Sequence, residues 1–231
     1  MRDYALYLES GPQRKTTMAH VIELLGCHVR RKTTDETVAD APDAIRRWLQ
    51  FFAERGEPFD AADAFTTHVE IHITDGSWLG NGDPTSGFAP DFEPIAMAEV
   101  EIHLRRLGQV HDHIVELTHD LGALPGVGFP LSRLLRHIGA AEAEFVRCSL
   151  DKPDDLRTAV KVMQADDDTL LESLQASWKL ASDRVAAATP EELARQTQRG
   201  QKTWTVRRTL RRMLEHTWEH MREIEDRLEG S

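Results

Sequence analysis

The sequence predicts an α+β chain in two parts, a small β-β-α-β domain followed by a four-helix bundle. Three observations predict it. Short runs alternating apolar and polar residues mark the first 75 residues. Residues 76–93, GSWLGNGDPTSGFAPDFE, are rich in Gly, Pro, Ser and Asp, the composition of a linker. From Pro94 onward, apolar residues recur at three- and four-residue spacing, as in helices with one apolar stripe. The expected boundaries are therefore 1–75, 76–93 and 94–231.

In the first part, Tyr4 to Leu8 and Thr16 to Ile22 are β-prone runs separated by Ser10-Gly11-Pro12. Thr34 with Glu36 and Thr37 opens a helical stretch in which Val38, Ile45, Leu49 and Phe52 share a face, and Gly56 and Pro58 end it. Residues 66–73, TTHVEIHI, alternate as a half-buried strand does, and His28–Lys32 forms a further short strand. Within the linker, Trp78, Leu79 and Phe88 are expected to pack against a neighbour.

The second part contains four predicted helices. The first, about 94–121, aligns Leu107, Val110, Ile114, Leu117 and Leu121, and Gly122 to Pro130 breaks it. The second, about 131–148, aligns Leu131, Leu134, Ile138, Ala141 and Phe145. Asp166–Asp168 precede the third, about 168–188, with Leu170, Leu174, Trp178, Ala181 and Val185. Thr203 or Thr205 caps the fourth, about 205–228, with Val206, Leu210, Met213, Ile224 and Leu228. Four such helices are the ingredients of an antiparallel bundle, although the long connection between the second and third departs from a strict up-down order.

Charge and composition narrow the function. The chain has 28 basic and 39 acidic side chains, a net −11, and neither part is net basic, which disfavours nucleic-acid binding. Its longest apolar runs are far short of the ~20 residues that span a membrane. The opening MRDYALYLES lacks the apolar core of a secretory signal, so the default expectation is cytoplasmic. Two cysteines with no CxxC pair argue against a disulfide scaffold.

Histidine carries the chemistry. His216-Thr217-Trp218-Glu219-His220 places two imidazoles four residues apart, on one face of a helix, where both can reach a single metal ion. Their helical phase points them inward, and buried imidazole nitrogens need a partner that a metal would supply. His137, beside the Leu134/Ile138/Ala141 stripe, is the candidate third ligand. Three protein ligands with one open position is the pattern of a catalytic metal site. Zinc, nickel, iron and cobalt all suit three imidazoles. Glu142, five residues after His137, is either a carboxylate supporting the site as hydrogen-bond acceptor or general base, or an ordinary surface acid. His103 and His111 are read as capping or surface residues, with the bundle mouth as the alternative, and His113 and His119 as solvent-facing. Cys148 lies about 16 Å along the helix from His137, too far to share an ion. Arg207, Arg208, Arg211 and Arg212 are read as a solvated face paired with nearby acids, with contact to an anionic substrate as the alternative.

Two segments carry a resemblance. Residues 207–224, RRTLRRMLEHTWEHMREI, resemble the last helix of DinB/YfiT-like proteins, and LLRHIGAAE from Leu134 resembles their second. The likeness covers roughly residues 94–229. It implies a divalent ion, zinc or nickel or similar, held by His137, His216 and His220. It also implies transfer of groups to or from a low-molecular-weight thiol, or hydrolysis of a small molecule, and a homodimer. The Glu23–Cys27 turn followed by the helix from Thr34 is similar to the HicB-like fold, with Leu25 in place of the usual proline. This chain lacks the DNA-binding segment that follows in HicB antitoxins. The competing expectation is a non-catalytic module that works through partner contacts of the HicB-like domain.

Overall fold

The computed structural model describes residues 1–11, 15–119, 131–150, 154–165 and 168–229. Pro12, Leu121, the 122–130 break and Asp166 lie outside the described residues. The chain divides into two compact units, Met1–Asp91 with Gly200–Thr203, and Phe92–Arg199 with Trp204–Ser231.

The first unit is a four-stranded sheet with one long helix. Strands β1 (Arg2–Ser10), β2 (Thr17–His20), β3 (His28–Arg31) and β4 (Phe65–Ile73) lie in the order β3-β2-β1-β4. The first three are antiparallel neighbours, and β4 runs parallel to β1. The expected strand at 66–73 forms, but it is not half-buried: β4 is an edge strand without a buried residue, and both Val69 and Ile71 are 47% exposed. Between Leu6 and Tyr7 the register shifts by one, Leu6 pairing with Val69 and Tyr7 with Ile71, which leaves Glu70 as the extra residue of β4.

Helix α1 (Thr34–Ala53) has its cap one residue earlier than the sequence suggested. Thr33 is the cap, its hydroxyl accepting from the Glu36 N–H at 3.2 Å while the Glu36 carboxylate accepts from the Thr33 N–H at 3.1 Å. Ile45, Trp48, Leu49 and Phe52 form its buried face. Val38 is only partly buried, and Ala41 takes its place in the core.

The Gly- and Pro-rich stretch after β4 is anchored to this sheet through a buried acid. Glu9 is fully buried, and its carboxylate accepts from the N–H groups of Gly80 (3.0 Å) and Gly82 (2.6 Å), with His20 Nε2 at 3.3 Å. Gly80 has φ +75, and a Cβ there would stand 3.1 Å from the Gly11 nitrogen, so the close approach requires glycine. Leu79 and Phe88 are buried, Phe88 against Tyr7 and His20, whereas Trp78 is 66% exposed. Lys202 pairs with Asp83 and lies 4.9 Å from the Trp78 ring. Glu9→Ala removes the buried acceptor that two backbone N–H groups and an imidazole share. It is expected to cost on the order of 3 kcal/mol, read as a lowered urea midpoint of the sheet signal.

The second unit is helical. Helices α2 (Met97–Thr118), α3 (Leu131–Ser149), α5 (Leu170–Ala186) and α7 (Val206–Glu229) correspond to the four expected ones. Each packs on two of the others: α2 on α5 and α7, and α3 on α5 and α7. Val100, Leu107, Val110 and Ile114 of α2 face Leu134, Ile138, Leu174, Trp178, Leu210 and Met213 in one apolar core. Thr205, not Thr203, caps α7, its hydroxyl accepting from the Arg208 N–H at 3.0 Å.

Three elements were not anticipated. The long connection before α5 carries α4 (Asp154–Ala165), which buries Leu156 and Met163. A Cβ on Gly139 would lie 2.6 Å from Leu174 Cδ1 and 2.7 Å from Met163 Sδ, so glycine is what lets α4 and α5 close onto α3. Helix α6 (Pro190–Ala194) has its own capping box from Thr189 and Glu192, and a hairpin follows, β5 (Thr197–Arg199) and β6 (Lys202–Trp204). Helix α6 and the hairpin are too short for periodicity to reveal, whereas α4 carries Leu156, Ala159, Val160 and Met163 at helical spacing. No described helix is long and apolar enough to cross a membrane.

The arginines at the start of α7 are not a solvated face. Arg208 and Arg211 are fully buried and Arg212 is 5% exposed. Helix α7 is buried almost all round at this end, and Glu215 accepts from both Arg211 (2.7 Å) and Arg212 (3.0 Å).

Candidate metal centre

Helices α3 and α7 pack against each other and bring one histidine from α3 to two from α7. The ligating atoms of His137, His216 and His220 all lie within 4.8 Å of one another. His216 and His220 meet because four residues return a side chain to the same helical face. Their ring centroids are 4.6 Å apart, and His137 stands 4.7 Å from His216 and 5.1 Å from His220. All three pairs meet edge to face, and the Nε2 atoms of His137 and His216 approach to 2.9 Å.

This donor set fits a divalent ion. Four-coordinate zinc with bonds of about 2.0–2.1 Å separates its nitrogen ligands by roughly 3.3 Å, which falls within the observed spread. His220 Nδ1 is 2.7 Å from the Glu223 carboxylate, so its Nε2 is the nitrogen left for the centre, and Arg227 holds Glu223 in turn. A carboxylate behind a ligating imidazole fixes its tautomer and orientation. Glu223 is the supporting residue that sequence reasoning missed, although its three-residue spacing from His220 on one helix was the available signal.

The site opens to one side. His216 is buried, His220 partly so, and His137 exposed, so the inward orientation expected of all three holds fully only for His216. Although His137 keeps an exposed face, desolvation first, and the neighbouring His220 second, hold its pKa below the ordinary histidine value. Its neutral form, the one that ligates a metal, is thereby favoured.

Glu142 is not a surface acid. It is 1% exposed, and its Oε1 lies 2.8 Å from His111 Nε2 and accepts from the Thr217 hydroxyl, one residue along from His216. Its nearest histidine by hydrogen bond is thus His111 of α2, not His137. His111 and His103, expected at the surface or a cap, are both buried, at 7% and 8% exposure. On α2, His103 is in line with the Val100/Leu107/Val110/Ile114 stripe and His111 flanks it, one residue after Val110. His113 is half-buried and bridges Glu116 (3.1 Å) and Glu225 (2.8 Å), whereas His119 is exposed. Cys148 lies apart from the centre, against Glu144.

A family model of the DinB superfamily matches residues 28–224. The chain belongs to the DinB superfamily. No curated protein and no solved structure matches it. The DinB match contains all three histidines and begins at β3, so it takes in α1 and β4 as well as the helices, a wider span than the sequence resemblance over 94–229. DinB membership and the clustered histidines agree on a metal-associated protein.

Proposed function

We propose that this DinB protein is a divalent-metal-dependent enzyme acting on a small molecule, with His137, His216 and His220 as ligands of zinc, nickel or a similar ion. The reaction class is transfer of a group to or from a low-molecular-weight thiol, or a hydrolysis. The observation that carries this reading is the convergence of three ligand atoms from two helices within 4.8 Å, on a side where His137 is open to solvent. A bound ion would lower the pKa of a coordinated thiol or water toward neutrality. The chain's own groups then have separate tasks. Glu223 orients His220. Glu142 is a positioning residue, holding Thr217 next to His216, since its Oε1 is already committed to Thr217 and His111. The helical unit is taken as the DinB-type four-helix bundle.

Elemental analysis of protein purified without a histidine tag tests the first step. About one divalent ion per chain is expected, and little in a His137→Ala/His216→Ala double variant. Equal metal in both would remove the proposal. Because protons compete with the ion for the imidazole nitrogens, metal retention on dialysis should fall on acidification, and the lowered pKa of His137 moves that loss to more acid pH than an ordinary histidine would give. Thiol-transfer assays with model electrophiles then separate transferase from hydrolase.

One observation favours a second reading, a non-catalytic module working through its first unit, taken as HicB-like. Strand β4 is a nine-residue edge with Val69 and Ile71 exposed, the surface on which a partner strand can add. Biological activity that survives loss of the triad but not a Val69→Lys/Ile71→Lys change would select it.

A further inference from the structure

A second site lies in the same helical unit, on the side where α2 meets α5. A groove of about 300 Å³ there is lined by Leu104, Gly108, His111 and Val115 of α2, and by α5 residues that include Gln175 and Trp178. Its volume is at the lower end of the range for small-molecule pockets. The histidine triad does not line it.

Two features of the groove have no explanation in packing. The first is Gly108, an interior residue of the 22-residue helix α2. Glycine at such a position destabilises a helix by about 0.5–1 kcal/mol relative to alanine. Elsewhere in this unit glycine is demanded by its neighbours, as at Gly139, but a Cβ on Gly108 would meet nothing within 4 Å. The consequence of glycine here is an open groove.

The second is the imidazole of His111. It lies flat on the Trp178 indole, with centroids 3.9 Å apart and planes 1° from parallel. Its Nε2 is engaged by Glu142 at 2.8 Å. As a carboxylate Glu142 can only accept, so Nε2 carries the proton and the other ring nitrogen, Nδ1, presents a lone pair. Nδ1 has no hydrogen-bond partner among the described residues. A buried carboxylate that fixes an imidazole tautomer and leaves its second nitrogen toward a cavity is the arrangement that sets up a hydrogen-bond or proton acceptor. The Glu142 side is closed: the Thr217 hydroxyl takes the same oxygen, and the residue is 1% exposed.

We propose that this groove binds a small planar molecule carrying an O–H or N–H donor, a phenol or a heteroaromatic N–H compound. Its ring occupies the space above Gly108 and beside Trp178, and its donor meets His111 Nδ1. The acceptor at the groove selects for the donor, and Leu104, Val115 and Trp178 favour a flat apolar ring within a lining that also carries Asp112, Gln175, Lys179 and Ser182.

Phenol, indole and toluene are the probes, titrated against the full chain with the His111 ring resonances and the melting temperature as readouts. Phenol and indole should shift the His111 Nδ1 resonance saturably and raise the melting temperature. Toluene, which has the shape without the donor, should bind at least about tenfold more weakly, the ratio one hydrogen bond of ordinary strength gives. Gly108→Phe fills the groove and should abolish both responses, with Gly108→Leu as the milder variant if the first does not fold. The same titration after chelator treatment should be unchanged, which keeps this test separate from that of the histidine triad. The proposal is overturned if phenol and indole give no saturable shift, or if toluene binds as well as phenol. It is also overturned if a folded groove-filled variant responds like the parent, or if the response requires bound metal.

Discussion

His216→Ala lowers divalent-ion affinity by about 100- to 1,000-fold, while the ligand-free protein keeps its helical content. The magnitude follows from dividing the roughly 10–16 kcal/mol of a four-ligand zinc site among its ligands, which is about 3–4 kcal/mol each. His216 is the strongest choice among the three because it is the buried one, the residue that approaches His137 to 2.9 Å and the one backed by the Phe145 ring at 5.8 Å. Glu223→Gln should weaken binding by a smaller factor, about 10- to 100-fold, since it acts through His220. Competition titration with a chromophoric chelator reads both. Parent-like affinity in His216→Ala would mean that the three rings do not act as a ligand set.

The second large effect is on stability. Glu215→Ala is expected to cost about 3–5 kcal/mol, seen as a lowered urea midpoint of the helical signal. Glu215 is 1% exposed and one carboxylate oxygen receives the guanidinium groups of both Arg211 and Arg212. Removing it leaves two buried cations without their shared counter-charge, and in a low-dielectric interior that penalty exceeds the value of the pair itself. Replacing Arg211, Arg212 and Glu215 together by aliphatic residues of similar length should therefore cost less than the single change. A midpoint for Glu215→Ala within about 0.5 kcal/mol of the parent would show that the carboxylate is not what balances these arginines.

These two expectations differ in how far the sequence anticipates them. The histidine spacing does: four residues on a helix determine that His216 and His220 share a face, and no tertiary information is needed to see it. The four long helices are equally legible, because each has an apolar stripe of four or five turns, long enough for the 3.6-residue period to stand out. Helix α6 and the β5–β6 hairpin are not, since they are short and their apolar residues are few, whereas the Leu156, Ala159, Val160 and Met163 stripe of α4 is a legible helical signal. The arginines of α7 were misjudged for a different reason. A charged side chain is ordinarily exposed, and only the fold reveals that these arginines are buried; that Glu215 lies three and four residues from two of them is plain in the helical spacing.

Sequence by itself determined the two-part architecture, the acidic balance and the pair of imidazoles on α7, all properties of local spacing or of composition. Tertiary structure decided how close His137, the third histidine the sequence offered, comes to that pair and how much of the site is open to solvent. It also decided that Glu142 turns to His111 and that Gly108 borders an empty groove. The physical reason is that a helix registers its own residues through a fixed rise and turn, whereas the meeting of two helices depends on how their side chains interlock. That interlocking is a property of the whole packed core.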